Sequence, residues 1–333
     1  MEETLRLVRT HDYHRPFRPL GDVEALLLDA EHILGSASVA LRIGQGAETL
    51  RIGFSGDLGR REAPILRDPD PLEPVDVLLC ESTYGDRLHE EENTRERLAA
   101  FVGEAVERGG KLLFPAFALG RAQTLLYLLH DLFVREHASK LLVFIDSPLT
   151  LNTTEISRRH PECFDAAMRG HLARGDDPFA FPEVRKVRSV DESKAINDRG
   201  GALAVIAGSG MCESGRILHH LKRHLPDSRT VVVMLGFQAE HTLGRRLLSR
   251  PESVRIFGEE VAVAGRVESL SGLSAHADRS GLTRWLLPQK NRLRRVFLVH
   301  GEPEAAEAFR EHLRGQGFPK VDVPQRLETV EVP

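Results

Sequence analysis

From Thr94 to Leu235 the chain alternates between short apolar runs and stretches with helical spacing, and that alternation limits the possible folds more than any other feature. Thr94–Arg108 reads as an amphipathic helix closed by Gly109-Gly110. Lys111–Phe114 follows as a strand, Gly120–Phe133 as a helix, Lys140–Ile145 as a strand, and a helical stretch begins near Leu151. Ala202–Ala207, Gly215–His224 and Arg229–Leu235 continue the series as strand, helix and strand. Strands joined by helical crossovers make a parallel sheet covered by helices, so an α/β fold is expected. His171–Asp198 is charged and contains prolines, and reads as a surface excursion.

The flanks have a different rhythm. Val23–Leu28, Ser38–Ile43, Thr49–Phe54 and Val75–Cys80 read as strands, with a hairpin-like loop at Gly44–Glu48. Beyond Pro251 come Val254–Phe257, Val261–Leu270, a helix around Arg279–Leu287, Val296–His300 and a strand-like tail, Val321–Val332. An α/β unit therefore interrupts a β-rich one, which divides the chain into residues 1–89, 90–250 and 251–333. The hydrophobic fraction of 41% argues against disorder. A net charge of −4 excludes a uniformly basic nucleic-acid coat but leaves room for a local basic cleft. Apolar runs such as Val231–Leu235 are far too short to span a bilayer, so no membrane partner is expected. Cys80, Cys163 and Cys212 are never in C-x-x-C spacing and no basic-then-apolar leader opens the chain, which points to the cytoplasm. Arginines outnumber lysines 38 to 7; this suits bidentate phosphate contacts, though a GC-rich genome produces the same bias.

Five polar positions sit at or just after strands: His32 in D-A-E-H-I-L-G-S-A, Asp57 in F-S-G-D-L-G-R, Glu81 in C-E-S-T-Y-G-D, His276 in L-S-A-H-A-D and His300 in F-L-V-H-G-E. Imidazoles and carboxylates on separate loops suit zinc or another divalent ion, and a carboxylate between two ions suits phosphate-ester hydrolysis. Each also has a structural alternative. Asp57 could form an Asx-turn, Glu81 could cap the turn at Ser82-Thr83, and His276 could bond Asp278 or cap the next helix. Spacing alone does not decide, because no pair has a tight ligand spacing such as H-x-H. The loop Gly208-Ser209-Gly210-Met211 lies between a strand and the helix containing Arg216, and Pro115–Arg121 repeats that layout with Arg121. Backbone N–H groups at such turns can bind phosphate oxygens, although a tight strand-to-helix turn needs glycine anyway. His219-His220 reads as the exposed side of a helix.

Taken in order, these motifs resemble the β-CASP branch of the metallo-β-lactamase superfamily, which contains RNA-processing nucleases. H-I-L-G-S-A resembles the branch's third metal motif and S-G-D its fourth, while E-S-T-Y-G, S-A-H-A-D and V-H-G-E resemble motifs A, B and C. P-A-F-A-L-G-R-A-Q, I-D-S-P-L, S-G-M-C-E-S-G-R and G-F-Q-A-E-H-T-L-G-R resemble the inserted β-CASP domain. The resemblance implies a metallo-β-lactamase αββα sandwich with that α/β insertion. It implies that His32, Asp57 and His300 are zinc ligands, with Asp57 bridging two ions. It makes His276 the acid for the leaving oxygen, oriented by Glu81, and places Ser209, Gly210, Arg216 and Arg121 near an RNA backbone. RNA is the implied partner, and a homodimer is compatible with it.

Two departures stand out. The ligand-rich H-x-H-x-D-H pattern of the family does not occur; the upstream histidines are His11 and His14, in T-H-D-Y-H-R-P. The chain thus reads as beginning part-way through its first domain, with an open sheet edge, an incomplete zinc site and impaired hydrolysis. The alternatives are a non-catalytic RNA-binding or assembly homologue, or a DNA-processing nuclease of the same branch. His300 at motif C favours RNA over DNA, and the insertion argues against a thioester hydrolase. In addition, Glu31 and His241 stand where the family usually has glycine.

Overall fold

A computed structural model describes residues 2–89, 93–135 and 141–331. Glu90, Lys140 and Val332, the expected start of the insertion and two expected strand ends, lie outside them. In chain order the strands are β1 Phe17–Leu20, β2 Val23–Asp29, β3 Ala37–Ile43, β4 Leu50–Phe54 and β5 Val77–Glu81. Next come β6 Lys111–Pro115, β7 Leu142–Ile145, β8 Val184–Lys186, β9 Leu203–Ala207 and β10 Val231–Met234. The last are β11 Ser253–Ile256, β12 Glu259–Ala262, β13 Arg266–Ser269, β14 Arg295–Val299 and β15 Lys320–Asp322. The chain packs as two compact units, one of Met1–Ala63, Arg67–Leu88 and His276–Pro333, the other of Pro64–Leu66 and His89–Ala275.

The first unit is built on a seven-stranded sheet in the order β1-β2-β3-β4-β5-β14-β15. β2, β3 and β4 form an antiparallel meander, and β5, β14 and β15 extend it in parallel. β2, β4, β5 and β14 therefore run in one direction, and their carboxyl ends share one edge of the sheet. Cross-strand partners share a face. The row Leu26–Ala40–Gly53–Leu78–Val296–Val321 faces a core completed by Leu282 and Leu286 of helix Arg279–Leu286 and by Phe309 and Leu313 of helix Pro303–Gly315. Gly53 has no alternative there, since a Cβ would lie 2.6 Å from Leu72 and 2.8 Å from Leu78. On the opposite face, Leu27, Val39, Phe54 and Leu79 are only half-buried. Among the described residues all strands of this unit join a single continuous sheet.

The second unit has a six-stranded parallel sheet in the order β13-β10-β6-β9-β7-β8. Both of its faces are covered. Leu112 and Phe114 enter one core and Leu113 the other, and Ala204 and Ile206 alternate with Leu203 and Val205 in the same way. That is why these strands are unbroken apolar runs in the sequence. Helix Thr94–Arg108 buries Leu98, Phe101, Val102 and Ala105, one helical stripe. The Asn93 side chain accepts the Glu96 N–H at its start, and Gly109 ends it in the left-handed conformation.

Several expectations are corrected. His171–Asp198 is no surface excursion: β8 is an edge strand, Ser189 and Glu192 form a capping box on helix Val190–Asn197, and Phe179, Phe181 and Ile196 are buried. The polar residues that look like loop are its caps and outer face. Val261–Leu270 holds two strands, and residues 251–275 pack with the second unit because β13 extends its sheet and β11–β12 adds Val254, Ile256 and Val261 to its core. Helix Arg121–His130 passes into a π-turn, Asp131–Arg135. Among the described residues of the expected tail strand, only Lys320–Asp322 is a strand. No helix among the described residues is long and apolar enough to cross a membrane.

Candidate metal centre

The common edge of β2, β4, β5 and β14 explains how residues so distant in sequence converge. His32 and Asp57 each follow their strand by three positions, Glu81 ends β5, and His300 comes directly after β14. Hydroxyl groups of the same motifs fold these loops. Ser36 Oγ accepts the His32 N–H at 3.0 Å, and Ser55 Oγ accepts the Glu81 N–H at 2.9 Å. Ser82 Oγ donates to the Val299 carbonyl at 2.9 Å and Thr83 Oγ1 to that of His300 at 2.8 Å. These positioning groups are absent from the expected site, although each lies inside or next to a motif. Gly301 is required because a Cβ would lie 2.4 Å from Ser82 Oγ.

Leu58-Gly59 joins the remaining loops. The Gly59 N–H donates to the Ala30 carbonyl at 2.7 Å, the Ala277 N–H donates to the Leu58 carbonyl at 2.8 Å, and Gly59 pairs with His276. A Cβ on Gly59 would be 2.6 Å from the Glu31 carbonyl, so this approach needs glycine.

The result is a cluster around Asp57. Its Oδ2 is 3.9 Å from His32 Nε2, and its Oδ1 is 3.3 Å from His300 Nε2. His276 Nδ1 lies 3.1 Å from both Glu81 oxygens. Glu81 is itself held by the Leu58 N–H at 2.6 Å and the Thr83 N–H at 3.3 Å. The clamp commits Nδ1, so any proton exchange or metal contact of this ring falls to Nε2. The His276 ring centroid is 4.4 Å from that of His32 and 6.2 Å from that of His300. His300 adopts a left-handed φ of 53°, a strained conformation of the kind that gathers at functional sites. Of the upstream histidines, His14 pairs with Asp70 at 3.2 Å and His11 stacks on Phe17 at 3.6 Å, so neither joins the cluster.

The donor set fits a divalent ion. One ligand atom each from His32, Asp57 and His276 lie within 4.8 Å of one another, and imidazole with carboxylate is the chemistry zinc accepts. The geometry thus adds His276 to the ligand-capable residues beside His32, Asp57 and His300. Next to them, burial pushes the Glu31 carboxyl up to about 9. Its two oxygens are buried and make no hydrogen bond, so nothing there compensates the charged form for the water it has lost.

The Beta-Casp domain model matches residues 122–247, and the model for a Zn-dependent metallo-hydrolase RNA specificity domain matches residues 260–324. A ribonuclease of Thermus thermophilus is 38% identical over 323 residues, covering 95% of this chain and 72% of its own. The chain belongs to the β-CASP metallo-β-lactamase family of nucleases. It is also 30% identical to the transcription termination factor FttA of Methanocaldococcus jannaschii over 320 residues, 93% of this chain. It is 29% identical to the endoribonuclease YSH1 of Mycosarcoma maydis over 316 residues, again 93% of this chain. It spans 50% and 34% of the length of those two relatives.

The β-CASP match lies inside the second unit, where the glycine loops are found. Gly210 packs so closely on Phe117 that a Cβ would be 2.6 Å from its ring, which brings the two expected loops together at the carboxyl ends of β6 and β9. Ser209 Oγ accepts the N–H groups of Glu213 and Ser214, at 3.0 and 3.1 Å. Arg216 directs its fork inward, to Asp146 Oδ1 at 2.6 Å and the Arg188 carbonyl at 2.8 Å. Ser209 and Arg216 therefore shape the loop, while Arg121 opens helix Arg121–His130 beside Gly236. His220 is fully buried rather than exposed, bonded to Asp146 and Asn197 at 2.7 Å each. His219 remains exposed against Phe257.

Proposed function

We propose that the cluster around Asp57 is a zinc centre that hydrolyses RNA phosphodiester bonds. The observation that carries this is the approach of His32, His276 and His300 to one carboxylate, with a second carboxylate clamping the His276 ring. His32, Asp57 and His300 are the ligands. Zinc bound there supplies Lewis acidity toward a phosphoryl oxygen and acidifies water at neutral pH. Glu81 holds His276 in one tautomer, so that Nε2 can pass a proton to the leaving oxygen. Leu58 and Thr83 keep Glu81 in place through their N–H groups. RNA as substrate class follows the Thermus relative, named a ribonuclease, and the Mycosarcoma relative, named an endoribonuclease. Arg121 and the backbone of Ser209-Gly210 meet the RNA phosphates, with Arg216 bracing the loop.

Two imidazoles and a carboxylate are enough to hold one ion. The second reading is RNA binding without cleavage. End-labelled RNA incubated with the chain and zinc separates the two. Zinc-dependent cleavage that disappears together with bound zinc in Asp57→Ala supports hydrolysis. RNA bound but left intact supports the second reading, and cleavage that survives Asp57→Ala would refute the proposed centre.

A further inference from the structure

A second convergence of ligand atoms lies wholly within the second unit. His130 ends helix Arg121–His130, His171 lies in helix Ala166–Ala173, and Asp176 sits in the turn that follows. His130 Nε2 is 2.7 Å from Asp176 Oδ1 and His171 Nδ1 is 2.7 Å from Asp176 Oδ2. Both imidazoles are 1% exposed, whereas the carboxylate is 37% exposed. Tyr127 and Phe181 wall the rings, at centroid distances of 5.6 Å from His171 and 5.8 Å from His130. Ligand atoms of all three residues lie within 4.8 Å of one another.

Proton placement argues against a purely structural clasp. If the neutral His130 donates from Nε2 to Asp176, its Nδ1 is a bare acceptor. That atom is buried and makes no hydrogen bond to any described residue. Leaving such a group unsatisfied costs roughly 1–3 kcal/mol. A cation held between the three residues takes the Nε2 lone pair and moves the proton to Nδ1. Nδ1 lies 3.9 Å from Asp131 Oδ1, and Asp131 is anchored by Arg95 at 2.6 Å. A carboxylate behind the far nitrogen is the usual second partner of a metal-bound imidazole.

We propose that His130, His171 and Asp176 bind a divalent transition-metal ion, zinc by ligand type, in the β-CASP unit. Two imidazoles and one carboxylate supply three ligands, and the exposed side of Asp176 leaves the remaining position to water. The site tethers the ends of two helices and is independent of the centre around Asp57.

The test uses the full chain carrying Asp57→Ala, so that the first centre is disabled. After loading with zinc and exchange into metal-free buffer, elemental analysis should find about one ion per chain more than in Asp57→Ala/Asp176→Asn. Asparagine keeps the shape and polarity of the turn, and circular dichroism checks the fold. Cobalt in place of zinc should give a visible d–d band that Asp176→Asn removes. Equal metal counts in the two proteins, or a cobalt band unchanged by Asp176→Asn, would overturn the site and leave a hydrogen-bonded cluster of two histidines and an aspartate. If the double variant does not fold, the melting temperature of Asp57→Ala decides: a rise with added zinc supports the site, and no shift overturns it.

Discussion

The two sheets of this molecule solve burial differently. In the second unit, Leu112, Leu113 and Phe114 are all buried because helices cover both faces of a parallel sheet. In the first unit, Leu28 and Leu78 are buried while Phe54 and Leu79, on the other face, are only partly covered. The first sheet is also where strand ends carry His32, Asp57, Glu81 and His300. Reactive groups at a strand edge are held by backbone N–H groups and hydroxyls rather than by apolar packing. The fully packed sheet carries glycine loops instead. Removing a sheet side chain from either face of the second unit should therefore cost more than removing one from the half-covered face of the first, and removing a polar one should cost more function in the first.

The largest expected effect tests packing. Phe114→Ala should destabilise the second unit by about 3–5 kcal/mol, since Phe114 is fully buried. Phe54→Ala should cost less than half of that. Hydrogen exchange read separately over the two units is the proper measurement, because they need not unfold together. Equal losses would break the contrast. The next effect is chemical. His276→Ala should slow RNA cleavage by about a hundredfold or more while leaving zinc content unchanged. Zinc lost along with activity would make His276 a ligand, a role its distance to His32 and Asp57 also permits.

A smaller effect sets pH dependence in the second unit. Burial, with His220, Lys111 and Arg223 adding positive charge nearby, lowers the His224 imidazole to about 4. The folded state then binds fewer protons than the unfolded chain, whose histidine titrates near 6.5. The stability tied to this group is complete above about pH 6.5 and is lost as pH falls toward 4. His224→Gln should preserve the bond to Asn197 and recover roughly 2 kcal/mol at pH 4.5, measured by urea unfolding at both pH values. Identical acid sensitivity in the variant would refute this.

What could be read from sequence follows the same division. Helix Thr94–Arg108 is legible because its apolar stripe and closing glycine are local signals, and β6, β9 and β10 are legible because strands buried on both faces are apolar throughout. The centre around Asp57 is legible only as separate motifs. The Glu81–His276 clamp joins positions 195 residues apart and is implied by resemblance rather than by spacing. His220 is misread because its buried partner, Asp146, lies 74 positions away. The charged caps around Ser189 look like loop because caps and loops use the same polar residues. Nothing local distinguishes them until packing does.

The smallest effect isolates backbone strain. Glu31 and His241 both adopt left-handed backbone, with φ of 60° and 66°. A side chain there costs about 1–2 kcal/mol that glycine avoids, partly offset by the greater freedom of glycine in the unfolded chain. His241 is exposed, so His241→Gly should change stability by less than about 1 kcal/mol. Glu31 is 3% exposed and buries two carboxyl oxygens that make no hydrogen bond. Glu31→Gly removes that cost as well as the strain and should stabilise the first unit by about 1–2 kcal/mol. The difference between the two variants in thermal or urea unfolding measures what burial adds to the same strained geometry. A larger gain at His241 than at Glu31 would show that backbone conformation, rather than the buried carboxyl, governs both positions.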